Sequence, residues 1–147
     1  MTSEIILPKC PEELEIYGDE PDLLTGEAHG YIIEIKRHPT LGHLCGYIDV
    51  PNDHPWAKCK QYDVPAKVHG GITFGPHAKV DESCFRIGFD CAHYLDYSPG
   101  MLRYKQYGLG TKIGKETYKN MEFVMRECEK LAAQAKEATK EPQCKST

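Results

Sequence analysis

Residues 117–138, TYKNMEFVMRECEKLAAQAKEA, carry the longest regular pattern in the chain and decide its fold class. Tyr118, Met121, Val124, Met125, Cys128, Leu131, Ala132 and Ala135 recur at three- and four-residue spacing, the period of an apolar helix face. Lys119, Glu122, Arg126, Glu129 and Lys130 take the outside, with Glu122 and Arg126 an i,i+4 ion pair of supporting orientation. The spacing predicts one amphipathic helix over 117–138, stopped by Glu141-Pro142. A helix with a single apolar stripe has to cover another element.

What precedes it reads as strands. Tyr31, Ile33 and Ile35 alternate with Ile32, Glu34 and Lys36, and His38-Pro39-Thr40-Leu41-Gly42 reads as a turn. A second strand follows at 43–50, placing Leu44, Ile48 and Val50 on one face and His43, Cys45, Tyr47 and Asp49 on the other. Two further strands are expected at 67–74 and 84–91. Strands in a run followed by one long helix give an α+β fold, an antiparallel sheet of about four or more strands packed on the C-terminal helix. Ile33, Leu44, Ile48, Val68, Ile72, Ile87 and Phe89 would face that helix. The opposite face would present His43, Tyr47, Asp49, His69, Thr73, Arg86 and Asp90, with Gly71 and Gly88 as gaps in front of them.

The domain organisation follows from the same pattern. Residues 1–28 are acidic and broken by Pro8, Pro11 and Pro21, and read as an N-terminal extension with short helical turns starting at Pro11 and Pro21. Residues 29–140 read as a single domain and 141–147 as a frayed tail. The proline-rich stretch 51–67, holding the sole Trp and His54, is long for a loop and suits a cover over a pocket.

Composition narrows the function. The net charge of -4 and the lack of a basic cluster interleaved with aromatics argue against nucleic acid as a partner. No apolar run approaches the roughly 20 residues of a membrane span, and the N-terminus has no basic-then-apolar leader. The seven cysteines are irregularly spaced and odd in number, and none pair as C-x-x-C. They read as reduced thiols without a disulfide, in a cytoplasmic protein.

The strings Val68-His69-Gly70-Gly71 and Phe89-Asp90-Cys91-Ala92-His93 carry the chemistry. Each brings reactive side chains to the end of an apolar run beside or shortly after glycines, a combination that a plain sheet core avoids. If the strands at 67–74 and 84–91 are neighbours, Asp90 can hold the tautomer of His69 and raise its basicity as a general base. The candidate catalytic residues are His69, Asp90 and His93. The candidate ligand contacts are His54, Arg86, Thr73, Gly71 and Tyr47, with Arg86 able to take an anion in bidentate fashion. Asp90 and His93 could instead join His69 or His54 as metal ligands, and a satisfied polar network bracing the sheet is the plain alternative. The sequence settles neither a metal nor a cofactor.

Gly42-His43-Leu44-Cys45-Gly46-Tyr47, His54-Pro55, Val68–Phe74, Ile87–His93 and the helix Tyr118–Ala133 together resemble a group of small uncharacterised proteins of phages and bacterial prophages. The resemblance covers roughly residues 30–135. It implies a virus-type accessory protein working in the host cytoplasm, and it transfers no activity. Two function classes stay open. One is a protein that binds or hydrolyses a small anionic, nucleotide-like ligand, in the manner of a small phosphodiesterase-like hydrolase. The other is a non-catalytic module that docks a host protein.

Overall fold

A computed structural model describes residues 7–140, without the side chains of Tyr62 and His77. Its elements are α1 (Pro11–Tyr17), β1 (Leu23–Ala28), β2 (Tyr31–Arg37), β3 (Leu44–Pro51), β4 (Phe74–Lys79), β5 (Cys84–Asp90) and α2 (Met121–Ala138), with short 3-10 segments at 55–58, 61–63 and 99–107. The five strands form one antiparallel sheet in the order β1-β2-β3-β5-β4. The α+β expectation holds.

Period two sorts the sheet as the sequence implies. Ile33, Ile35, Leu44, Ile48, Val50, Phe85, Ile87 and Phe89 are buried on one face. Against them α2 sets Met121, Val124, Cys128, Leu131, Ala132 and Ala135, all buried. Gly46 sits at the closest approach: a Cβ there would lie 2.7 Å from Cys128 Sγ and from the Phe89 ring. Small residues on both elements therefore let helix and sheet pack directly.

The helix starts four residues later than its periodicity suggests. Asn120 caps it, its side-chain oxygen accepting from Phe123 N–H at 2.9 Å, while Glu20 accepts from Met121 N–H at 2.6 Å. Thr117 is meanwhile engaged with the chain at Leu95 and Tyr97.

From the stretch read as an extension, α1 and β1 emerge as built parts of the fold. Pro11 opens α1 as expected, but the turn expected from Pro21 is replaced by strand β1, which pairs with β2 along its length. Glu13 is wholly buried and holds Arg103 through two bonds of 2.7 and 2.6 Å, and Tyr17 donates to the same carboxylate at 2.5 Å. Arg103 also donates to the carbonyls of Leu7 and Pro39 at 3.0 and 2.8 Å. This buried pair ties the N-terminal segment to the 99–107 segment and to the β2–β3 turn. Residues 1–6 and the tail 141–147 lie outside the described residues.

The strand expected over 67–74 is not one. Only Thr73 and Phe74 reach β5, where Thr73 N–H donates to Gly88 O at 2.9 Å and Phe74 pairs with Gly88. Upstream, the backbone runs along α2 and bonds to helix side chains. Gln134 brackets Lys67, accepting from its N–H at 2.7 Å and donating to its C=O at 2.8 Å, and Glu127 accepts from His69 N–H at 2.8 Å. These contacts satisfy the backbone groups that a sheet ladder would otherwise use.

The cysteine expectation is corrected at one position. Cys10, Cys45, Cys84, Cys91 and Cys128 are free thiols, but Cys59 is disulfide-bonded. No helix among the described residues is long and apolar enough to cross a membrane.

Candidate functional site

The end of β5 and the segment that follows it bring together His69, Asp90, His93 and a residue the sequence did not single out, Asp96. After Asp90 the chain turns back at 93–96, with Leu95 at φ 72° and Asp96 N–H bonded to His93 O at 2.9 Å. The turn folds the Asp96 carboxylate fully inward. Two hydrogen-bond donors converge on its Oδ2, His69 Nε2 at 2.7 Å and His93 N–H at 3.0 Å, and Lys119 Nζ forms an ion pair with Oδ1 at 3.0 Å. Burial alone would raise this carboxyl. The bonds from His69, the His93 amide and Lys119 outweigh it and hold the acid below the ordinary carboxylate range.

An ionised Asp96 can only accept, so His69 carries its proton on Nε2. Nδ1 is then the basic nitrogen, and no protein group among the described residues bonds it. The orienting partner of His69 is thus Asp96, in place of the expected Asp90. Phe123 of α2 meets the His69 ring edge-on at 5.2 Å and holds it in place.

His93 lies beside it, the two ring centres 5.9 Å apart. Its Nε2 is 3.2 Å from Asp90 Oδ1, and Asp90 Oδ2 accepts from Thr73 Oγ1 at 2.9 Å. Gly70 explains the glycine pair: it adopts φ +70°, and a Cβ there would collide with the His93 ring. The His69 and His93 side chains are both partly open to solvent, but His93 Nε2 itself is buried against Asp90 without a hydrogen bond. The constellation is two imidazoles side by side, each against its own carboxylate.

The remaining expected contacts divide. Tyr47 and Thr73 line a cleft of about 350 Å³ that abuts this cluster and is also walled by His38, His43, Phe74, Phe89 and Asp90. Gly71 has φ +82° and open space before it. Gly88, read as a gap for a ligand, instead seats the Tyr47 ring, which a Cβ would strike. Arg86 is already occupied. It donates to Asp49 at 2.7 and 3.1 Å and to Glu34 at 2.8 Å, so its fork is not available to an anion.

His54 is a structural residue on the helix side of the sheet. Its Nδ1 accepts from Trp56 N–H at 3.0 Å and its Nε2 donates to Ala135 O at 2.7 Å, which commits both ring nitrogens. It joins no ligand set with His69. Among the described residues no three or more His, Cys, Asp or Glu side chains group to hold a metal ion. Cys91 is buried, and burial first, then the Asp96 charge, pushes its thiol well above the ordinary range, so it is no nucleophile.

Asp96 was missed because no strand alternation points to it. Its direction depends on the 93–96 turn and on a single residue with positive φ, neither of which periodicity reports. Comparison with protein-family models, with curated proteins and with solved structures finds no match to this chain.

Proposed function

We propose that the chain binds a small anionic ester at the His69–His93 pair and hydrolyses it by general acid–base chemistry. The observation that supports this is the juxtaposition of the two imidazoles at 5.9 Å, each against a carboxylate and each open to solvent. A surface that merely braces a sheet does not need a fully buried carboxylate to fix one imidazole with its basic nitrogen unengaged.

In this reading His69 Nδ1 takes a proton from water as the water oxygen bonds to phosphorus. His93, protonated, gives a proton to the leaving oxygen as the ester bond breaks. Water is added across that bond, and the imidazoles re-equilibrate with solvent. Asp96 and Asp90 act as positioning residues, stabilising the imidazolium forms. We further take the chain to be a virus-type accessory protein acting in the host cytoplasm, on the strength of the sequence resemblance.

The test is turnover of bis(p-nitrophenyl) phosphate. General acid–base groups contribute on the order of 10²–10⁴ in rate, so His69→Ala and His93→Ala should each remove nearly all of it. Loss in neither variant would overturn the assignment. A parent without turnover whose His69 and His93 signals shift with inorganic phosphate would leave a binding protein.

A second reading, docking of a host protein, rests on a separate patch. Tyr94 and Ile113 are 91% and 98% exposed, and Leu95 and Leu109 are exposed near them in sequence.

A further inference from the structure

The cleft beside the two histidines runs from an aromatic corner to Asp90, which lies against His93. At its far side Tyr47 and Phe74 meet edge to face at 5.3 Å and 80°, making a right-angled aromatic corner, with Leu41 adding to the apolar lining. Phe74 is substantially exposed, and an exposed ring at the lip of a cleft offers a face for stacking.

Polar groups line the same cleft. His38 Nδ1 accepts from the Thr40 and Leu41 amides at 3.2 and 3.0 Å, so the ring's remaining donor is Nε2–H. His43 is buried and stacked on His38 at 5.0 Å, and the one hydrogen-bond contact of its ring among the described residues, Ser98 Oγ at 3.5 Å from Nδ1, is long. Imidazole donors and acceptors beside an aromatic corner suit the edge of a heteroaromatic ring rather than a plain hydrocarbon.

Asp90 joins this cleft to the catalytic pair. It lines the cleft, its Oδ1 accepts from Ala92 N–H at 3.0 Å and lies 3.2 Å from His93 Nε2, and its Oδ2 accepts from Thr73 Oγ1 at 2.9 Å. Oδ2 keeps one lone pair, and a carboxylate so placed between an aromatic corner and two imidazoles fits a sugar hydroxyl and would repel a phosphate placed directly on it.

We propose that this cleft holds the base and ribose of a nucleoside monophosphate ester, the base on the Tyr47–Phe74 corner, a ribose hydroxyl at Asp90 and the phosphate against His93 and His69. This rests on the anionic-ester reading of the histidine pair and adds the substrate class to it. The volume of about 350 Å³ lies at the small end of ligand clefts, which fits one nucleotide and not an oligonucleotide.

The experiment is calorimetric titration of the full chain with each of the four nucleoside 5′-monophosphates, ribose 5-phosphate, inorganic phosphate and adenosine. It is repeated on Phe74→Ala and on His93→Ala, with thermal melts to confirm folding. Phe74 is an exposed residue, so the first variant should fold as the parent does. At least one nucleotide should bind five-fold or more tighter than ribose 5-phosphate, the advantage expected of one stacked base. Phe74→Ala should abolish that advantage and leave ribose 5-phosphate binding unchanged, while His93→Ala should weaken both. Equal binding of nucleotides and ribose 5-phosphate, unmoved by Phe74→Ala, overturns the base cleft and leaves the phosphate site standing. Adenosine binding as tightly as its monophosphate, with His93→Ala silent, overturns the phosphate site instead. Binding of none of them overturns both.

Discussion

Replacing Asp96 by Asn tests the hub on which the site is built. The change is nearly isosteric, so its cost is electrostatic. The Asn amide oxygen can take the place of Oδ2 and still accept from His69 Nε2 and His93 N–H, now without charge. The amide NH₂ must then face Lys119 Nζ, 3.0 Å from the present Oδ1, setting donor against donor at a fully buried position. Losing the contact with charged Lys119 costs about 1.5–3 kcal/mol, and weakening two hydrogen bonds brings the total to roughly 2–4 kcal/mol. At this chain length that corresponds to a melting temperature lower by about 6–12 °C.

The pH dependence supplies a sign. The Asp96 carboxyl is held below its ordinary value in the folded protein, so its contribution is present above about pH 4 and drains away as pH falls through the folded value. The gap between parent and Asp96→Asn should therefore be full at pH 7 and close on acidification. Thermal melts by circular dichroism from pH 7 to pH 3 measure both. A variant melting within about 1 °C of the parent at pH 7, or a gap that widens in acid, would show that Asp96 is not the charged hub of the site.

His54→Ala should cost about 1–3 kcal/mol in urea unfolding, because it strands the Trp56 amide and the Ala135 carbonyl, yet leave phosphate binding unchanged. Arg103→Met leaves the Glu13 carboxylate buried without its partner and should cost about 3–5 kcal/mol, detaching the α1 segment as read by limited proteolysis. Gly46→Ala forces a Cβ into Cys128 and Phe89 and should cost about 1–3 kcal/mol by the same unfolding assay. Burial first, then His38, pushes the His43 imidazole down to about 4. Its stabilising contribution is thus complete above about pH 6.5 and lost on descent toward pH 4, a slope that His43→Phe should flatten in pH-dependent melts.

How far the chain could be read follows from which forces act locally. The β2–β3 hairpin, β5 and the buried stripe of α2 were legible because side-chain alternation and helical period record burial directly. Strand β1 was not, since Leu23–Ala28 is an edge strand with little buried on either face and no alternation to betray it. The 67–72 segment misled because Val68 and Ile72 alternate like a strand, while Gln134 and Glu127, more than fifty residues away, take its backbone bonds. His69, Asp90 and His93 were read as one cluster from two short strings and do lie together. Residue type alone suggests Arg86 and His54 as contacts, whereas Asp49, Glu34 and the Ala135 carbonyl, which consume their bonding capacity, are partners only in three dimensions.

In the proposed reading His69 and His93 act on one anion, with Nδ1 of His69 the working nitrogen. Imidazole ¹⁵N NMR of the uniformly labelled chain, titrated with inorganic phosphate, reads this out residue by residue. Free His69 should be the Nε2–H tautomer, His69 and His93 should shift together along one binding curve, and His54 should stay still. A free His69 protonated on Nδ1, or phosphate shifts that spare His69 and His93, would contradict that reading.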